Sequence, residues 1–117
     1  MESVEMRYTL LQICGFWLTE YPDAHEDMVR RRVGEDIVEV CWWRDWDPIN
    51  NLEQLKMVYE TAEGDYPDGF AHSYSWAFCD LFKEKTGWDA GMYDMTTSWV
   101  RHPDLVAEAI KIAKEKN

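Results

Sequence analysis

No run in the chain approaches the ~20 consecutive apolar residues that a membrane-spanning helix needs. The first apolar stretch, within residues 1–16, follows early acids and has no basic leader, so it does not read as a secretory signal. Cysteine is sparse: Cys14, Cys41 and Cys79 are odd in number, far apart and in no CxxC pair. Such a set reads as reduced, buried thiols in a cytoplasmic protein. The three histidines, His25, His72 and His102, are dispersed, and no histidine or cysteine pair has metal-ligand spacing. Asp45-Trp46-Asp47 opens like a calcium loop, but Ile49 stands where a third oxygen ligand belongs and no glycine follows it.

Catalytic patterns are missing as well. There is no Gly-x-Ser-x-Gly elbow and no Gly-rich phosphate loop. Cys79 and His72 lie seven apart on an expected strand, hence on opposite faces. Carboxylates are too plentiful for any pair to stand out as acid and base. No enzyme activity, cofactor or metal is expected.

What the chain has is charge and rings. Its 117 residues suit one domain, residues 1–117, with one core. Apolar residues make up 46% and aromatics 15%, with seven tryptophans. That is more ring surface than a small core needs, which points to aromatic side chains at a contact surface. The net charge is −11, and residues 34–94 supply most of it, with fourteen acids against four bases. The run from Pro103 onward is neutral. A field of this sign repels nucleic acid and anionic membranes and attracts basic protein surfaces. Solubility alone would also account for it.

Along the chain, Val4, Met6, Tyr8 and Leu10 alternate with polar residues at strand spacing, although a helix from about Glu5 also fits. Tyr21-Pro22-Asp23 reads as a turn, with Asp23 capping a short helix that ends near Val33. Arg30-Arg31-Arg32 then lies in its last turn and Gly34 just beyond it. Ile37–Trp43 reads as a strand and Asp45–Asn51 as a loop. Asn50 with Glu53, or Asn51 with Gln54, can cap a helix carrying Leu52, Leu55, Val58, Tyr59 and Ala62. Gly64–Gly69 breaks the chain. Phe70–Phe82 fits either period, and its aromatic content favours a strand. Lys83–Gly91 resembles a hairpin connection, with Met92–Val100 as the return strand. Pro103 starts a final amphipathic helix with Leu105, Val106, Ala109, Ile110, Ile112 and Ala113 inward. The fold class expected is α+β, with helices packed on a small antiparallel or mixed sheet.

The stretch Cys41-Trp42-Trp43-Arg44-Asp45-Trp46-Asp47-Pro48-Ile49-Asn50-Asn51, leading into Leu52-Glu53-Gln54-Leu55 and Val58-Tyr59-Glu60, resembles small bacteriophage proteins of the phage ABA sandwich type. Asp27–Arg30 with Val33-Gly34 is similar to a short upstream helix of that group. Ser75–Phe78 is similar to its Trp-bearing strand, and His102–Ile110 to its Pro-led closing helix. The likeness covers roughly residues 26–114; the segment through Glu20 has no counterpart. It implies a phage or prophage origin and an αβ sandwich, and carries no general function.

The functional expectation is a small acidic binding protein that inhibits a host defence or nucleic-acid-handling protein in the host cytoplasm. The partner would be a host protein with a basic surface, not nucleic acid or membrane. Trp42, Trp43, Trp46 and Trp88 fall in or near expected loops of the acidic middle, whereas Trp76 and Trp99 read as core. Tryptophans anchor interfaces and carboxylates steer and pair with cations. The contact residues expected are Asp45, Trp46, Asp47, Asp65, Asp68 and Asp89. Two alternatives stand beside this: a nucleotide- or small-molecule-sequestering module with an aromatic pocket, and an oligomerising phage accessory protein.

Overall fold

The computed structural model describes residues 2–116, with side chains from Val4 onward. Helix α1 (Glu2–Cys14) leads through Gly15 into a three-stranded antiparallel meander, β1 (Trp17–Tyr21), β2 (Glu26–Val33) and β3 (Asp36–Trp42), in sheet order β1-β2-β3. Four helices follow: α2 (Leu52–Glu63), α3 (Pro67–Thr86), α4 (Met92–Arg101) and α5 (Pro103–Lys116). Single 3-10 turns at Pro22–Ala24 and Trp43–Asp45 join β1 to β2 and lead from β3 toward α2. The fold is α+β, with a helical layer that outweighs the sheet.

Helix α5 is the hub. Leu105, Val106, Ala107, Ala109, Ile110 and Ala113 are buried on more than one side of it, and α1, α2, α3 and α4 all pack against it. Small alanines at the contact let the helix axes approach closely. Its antiparallel alignment with α3 is pinned at one end by Lys85 on Asp104 (3.2 Å) and by Phe82 edge-on to His102. From the sheet side, Phe16, Leu18 and Val29 close the core.

Trp46 locks the sheet exit to α1. It is fully buried, its indole N–H donates to the Arg7 carbonyl (3.1 Å), and Phe16 meets its ring edge-on. The Arg7 guanidinium donates in return to the carbonyls of Trp46 and Trp43 and lies 4.2 Å over the Trp43 ring. Asn51 caps α2, its side-chain oxygen accepting from the Gln54 N–H (3.1 Å), and Gln54 reaches back to the Asp47 N–H and the Asp45 carbonyl.

Four expectations change. Residues 4–10 belong to α1, so the helical alternative from Glu5 is the one adopted. The helix expected over residues 23–33 is instead a 3-10 turn followed by β2, which puts Arg30–Arg32 on a strand. Arg30 pairs across to Glu39 (3.3 Å) and its guanidinium lies over the Tyr21 ring. Phe70–Phe82 lies within a 20-residue helix, and Met92–Val100 is helical too, so no hairpin joins them. Pro67 at the first position of α3, and Gly87 accepting its left-handed C-cap (φ 80°), bound that helix. Burial decides against the aromatic strand propensity: Phe70, Tyr74, Ala77, Phe78 and Phe82 make one helical stripe into the core. The upstream helix and Trp-bearing strand implied by the phage resemblance therefore take the other secondary structure in this chain.

Candidate interaction site: the groove between α2 and α4

Tyr59 projects from α2 and Trp99 from α4, and their rings meet edge-on at 5.5 Å with an interplanar angle of 72°. Behind them Phe70 and Tyr74 of α3 also meet the Tyr59 ring edge-on, so the pair stands on a fixed aromatic stack. Burial, with the Glu63 carboxylate next to it, pushes the Tyr59 hydroxyl above its ordinary pKa; burial does the same more strongly to Tyr74. Both phenols are neutral at physiological pH. An open groove of about 450 Å³ runs over this floor. Leu52 and Val100 form its apolar lips, and Lys56, Glu60 and Thr96 are its polar lining.

Exposed apolar side chains also stand on the outside of α4. Met92 is 89% and Val100 75% exposed, with Tyr93 also exposed. Inward, α4 fully buries only Ser98, whose hydroxyl donates to the Met95 carbonyl. The helix is held at its start by the Gly91 N–H donating to the Asp94 carboxylate (2.9 Å). A short helix with large apolar side chains on its solvent face marks a surface that gains by being covered.

The residues expected to form the contact surface are not one patch. Trp46 is fully buried and structural, which removes it as a contact residue. Asp45 is exposed, and Asp47 is half-buried, accepting from the Asn50 amide (2.8 Å). Asp65 and Asp68 lie at the corner between α2 and α3, whereas exposed Asp89 follows the far end of α3, paired with Lys83 (3.4 Å). A 20-residue helix rises about 30 Å, so Asp68 and Asp89 stand at opposite ends of α3. The acids supply a field, not a site.

Other tryptophans also move. Trp88 is exposed as expected, whereas Trp42 and Trp43 are half-buried. Trp76, read as core, is 61% exposed, its indole donating to His72 Nε2 (3.0 Å). His72 and Cys79 share one face of α3 rather than opposite faces of a strand. Seven residues still rise about 10 Å along a helix, too far for a base to take a thiol proton directly. Of the thiols expected to be buried, Cys14 is buried and Cys41 and Cys79 are half-buried.

The groove residues Leu52, Tyr59, Trp99 and Val100 were not among the expected contacts. Met92, Thr96, Trp99 and Val100 carry helical spacing, but the β-prone run Thr96-Thr97-Ser98-Trp99-Val100 masks it. Among the described residues no group of three His, Cys, Asp or Glu side chains could hold a metal ion, and no helix is long and apolar enough to cross a membrane. No protein-family model, curated protein or solved structure matches the chain.

Proposed function

We propose that this chain is a non-catalytic protein-binding module that engages its partner through the α2–α4 groove and the outer face of α4. The observation that carries the reading is the apolar surface from Leu52 across Tyr59 and Trp99 to Val100, with exposed Met92 and Tyr93 at the other end of α4, on a chain of net charge −11. Aromatic anchors in a groove supply affinity, and the surrounding carboxylates steer a basic partner toward it. Taken with the resemblance to small phage proteins, the partner is a host protein with a basic surface, engaged in defence or in handling nucleic acid, and the module inhibits it in the cytoplasm. Its negative field resembles a nucleic-acid backbone in sign, although no single face carries the mimicry.

Capture from host lysate tests this. A protein retained by the wild-type chain and lost by a Val100→Asp variant with an unchanged circular-dichroism spectrum supports the groove. Equal retention by both overturns it. A second reading, a small aromatic ligand such as a nucleoside, draws on the groove volume, which lies within the range of ligand sites. That reading requires nucleosides to shift the Trp99 indole signal in the absence of any protein partner.

A further inference from the structure

Four of the chain's arginines lie over its own rings. Arg7 lies over Trp43, Arg30 over Tyr21, Arg44 over Trp42 and Arg101 over Tyr93, with guanidinium-to-ring distances of 4.2–5.9 Å. Among the described residues the two rings in the groove carry no such cover, nor do exposed Tyr66, Trp76 and Trp88, but Tyr59 and Trp99 meet as a pair of walls lining one groove. Their near-perpendicular planes make an open corner. Glu60 is on the same rim, next to Tyr59, and makes no ion pair among the described residues. Two aromatic walls and a free carboxylate are the elements of a site for an organic cation.

We infer that the Tyr59–Trp99 corner receives an arginine side chain of the partner, its guanidinium against the rings and paired with Glu60. This rests on the groove being the binding surface and names what enters it. Arginine fits better than lysine, because a planar guanidinium stacks on a ring while still donating in-plane hydrogen bonds to a carboxylate. The apolar lips Leu52 and Val100 suit the methylene stem of that side chain. The wider field agrees in sign: Glu53, Glu63, Asp65 and Asp68 lie on α2 or at its corner with α3, against Lys56 and against Lys114, which donates to the Ala62 carbonyl in the last turn of α2. Lys56 is one turn before Glu60 and is the local group that opposes an incoming cation.

The test uses the full-length chain labelled with ¹⁵N and two short peptides. One is capped leucine–alanine–arginine–alanine–leucine; its twin carries citrulline, the neutral isostere, in place of arginine. The Trp99 indole signal, assigned by its loss in Trp99→Phe, reports occupancy. The arginine peptide is expected to shift this signal saturably and to bind about tenfold more tightly than the citrulline peptide. Glu60→Gln lowers that ratio about threefold, and Lys56→Met raises it by strengthening only the arginine peptide. Equal affinity of the two peptides overturns the arginine inference and leaves the groove standing. A Trp99 signal that neither peptide moves overturns both.

Discussion

Trp46 and Trp99 are the same residue in contrasting settings. Trp46 has its indole hydrogen-bonded, its ring packed on Phe16 and its surroundings closed by Arg7. Truncating it removes a large buried side chain, so Trp46→Ala is expected to cost about 3–5 kcal/mol in urea unfolding. Arg7→Met, which strips charged donors from two carbonyls, is expected to cost about 1.5–3 kcal/mol. Trp99 is half-buried on a surface helix, and its substitution should weaken binding more than folding. The Cys14 thiol belongs to the structural class: burial pushes its pKa from 9.0 up to about 12. The folded state thus keeps this thiol neutral while the unfolded chain ionises from about pH 9, so its stabilising contribution is intact below pH 9 and falls above it. By pH 10 the loss from this group is on the order of 1 kcal/mol. Urea titrations at pH 8 and pH 10 should show that loss in the wild-type chain and less of it in Cys14→Ala.

At the scale of elements, the starts of α2 and α5 and the position of β3 were legible. Of the two caps the sequence offers for α2, Asn50 with Glu53 or Asn51 with Gln54, the second is adopted, the Asn51 side chain accepting the Gln54 N–H. Asn51→Ala is expected to cost about 1 kcal/mol, read from the urea midpoint. Pro103 announced α5, and the β-branched run Ile37–Trp43 announced β3. Gly34 was recognised as a glycine with a reason, but the reason was attached to the wrong element. Its φ of 64° turns the β2–β3 hairpin, since a positive-φ glycine serves a two-residue hairpin loop as well as a helix end. Helices α3 and α4 were misread because Ser, Thr, Tyr, Trp and Phe favour strands locally, whereas the choice here comes from a helical stripe packing on α5. That error hid the site, because Trp99 and Val100 stand beside Tyr59 and Leu52 only when residues 92–101 are helical. The acidic middle was visible from the sequence, but not its dispersal over both ends of α3.

The molecule as a whole is elongated, about 50 × 31 × 20 Å with a radius of gyration of 15.1 Å. A compact chain of this length would have a radius of about 13 Å. The excess agrees with a β2–β3 hairpin whose far half, residues 32–39, is solvent-exposed on both strands. A net charge of −11 spread over this shape disfavours pairing of two copies and favours encounter with a basic partner. Sedimentation velocity is expected to give a monomer at moderate salt, a result that counts against the oligomerising alternative. Long-range steering should weaken as salt shortens the Debye length, so raising salt from 0.05 to 0.5 M should slow association far more than it speeds dissociation. On the proposed reading the acids set the rate of encounter, while the groove holds the complex. The direct measurement compares dissociation constants of the captured partner for two variants side by side. Val100→Asp, one change on the groove lip, is expected to weaken binding by a hundredfold or so (~2.8 kcal/mol), whereas Asp45→Asn, Asp65→Asn, Asp68→Asn and Asp89→Asn combined should weaken it by less than about tenfold. The reverse order, with the four carboxylates dominant and Val100→Asp close to wild type, would contradict the groove as the binding site.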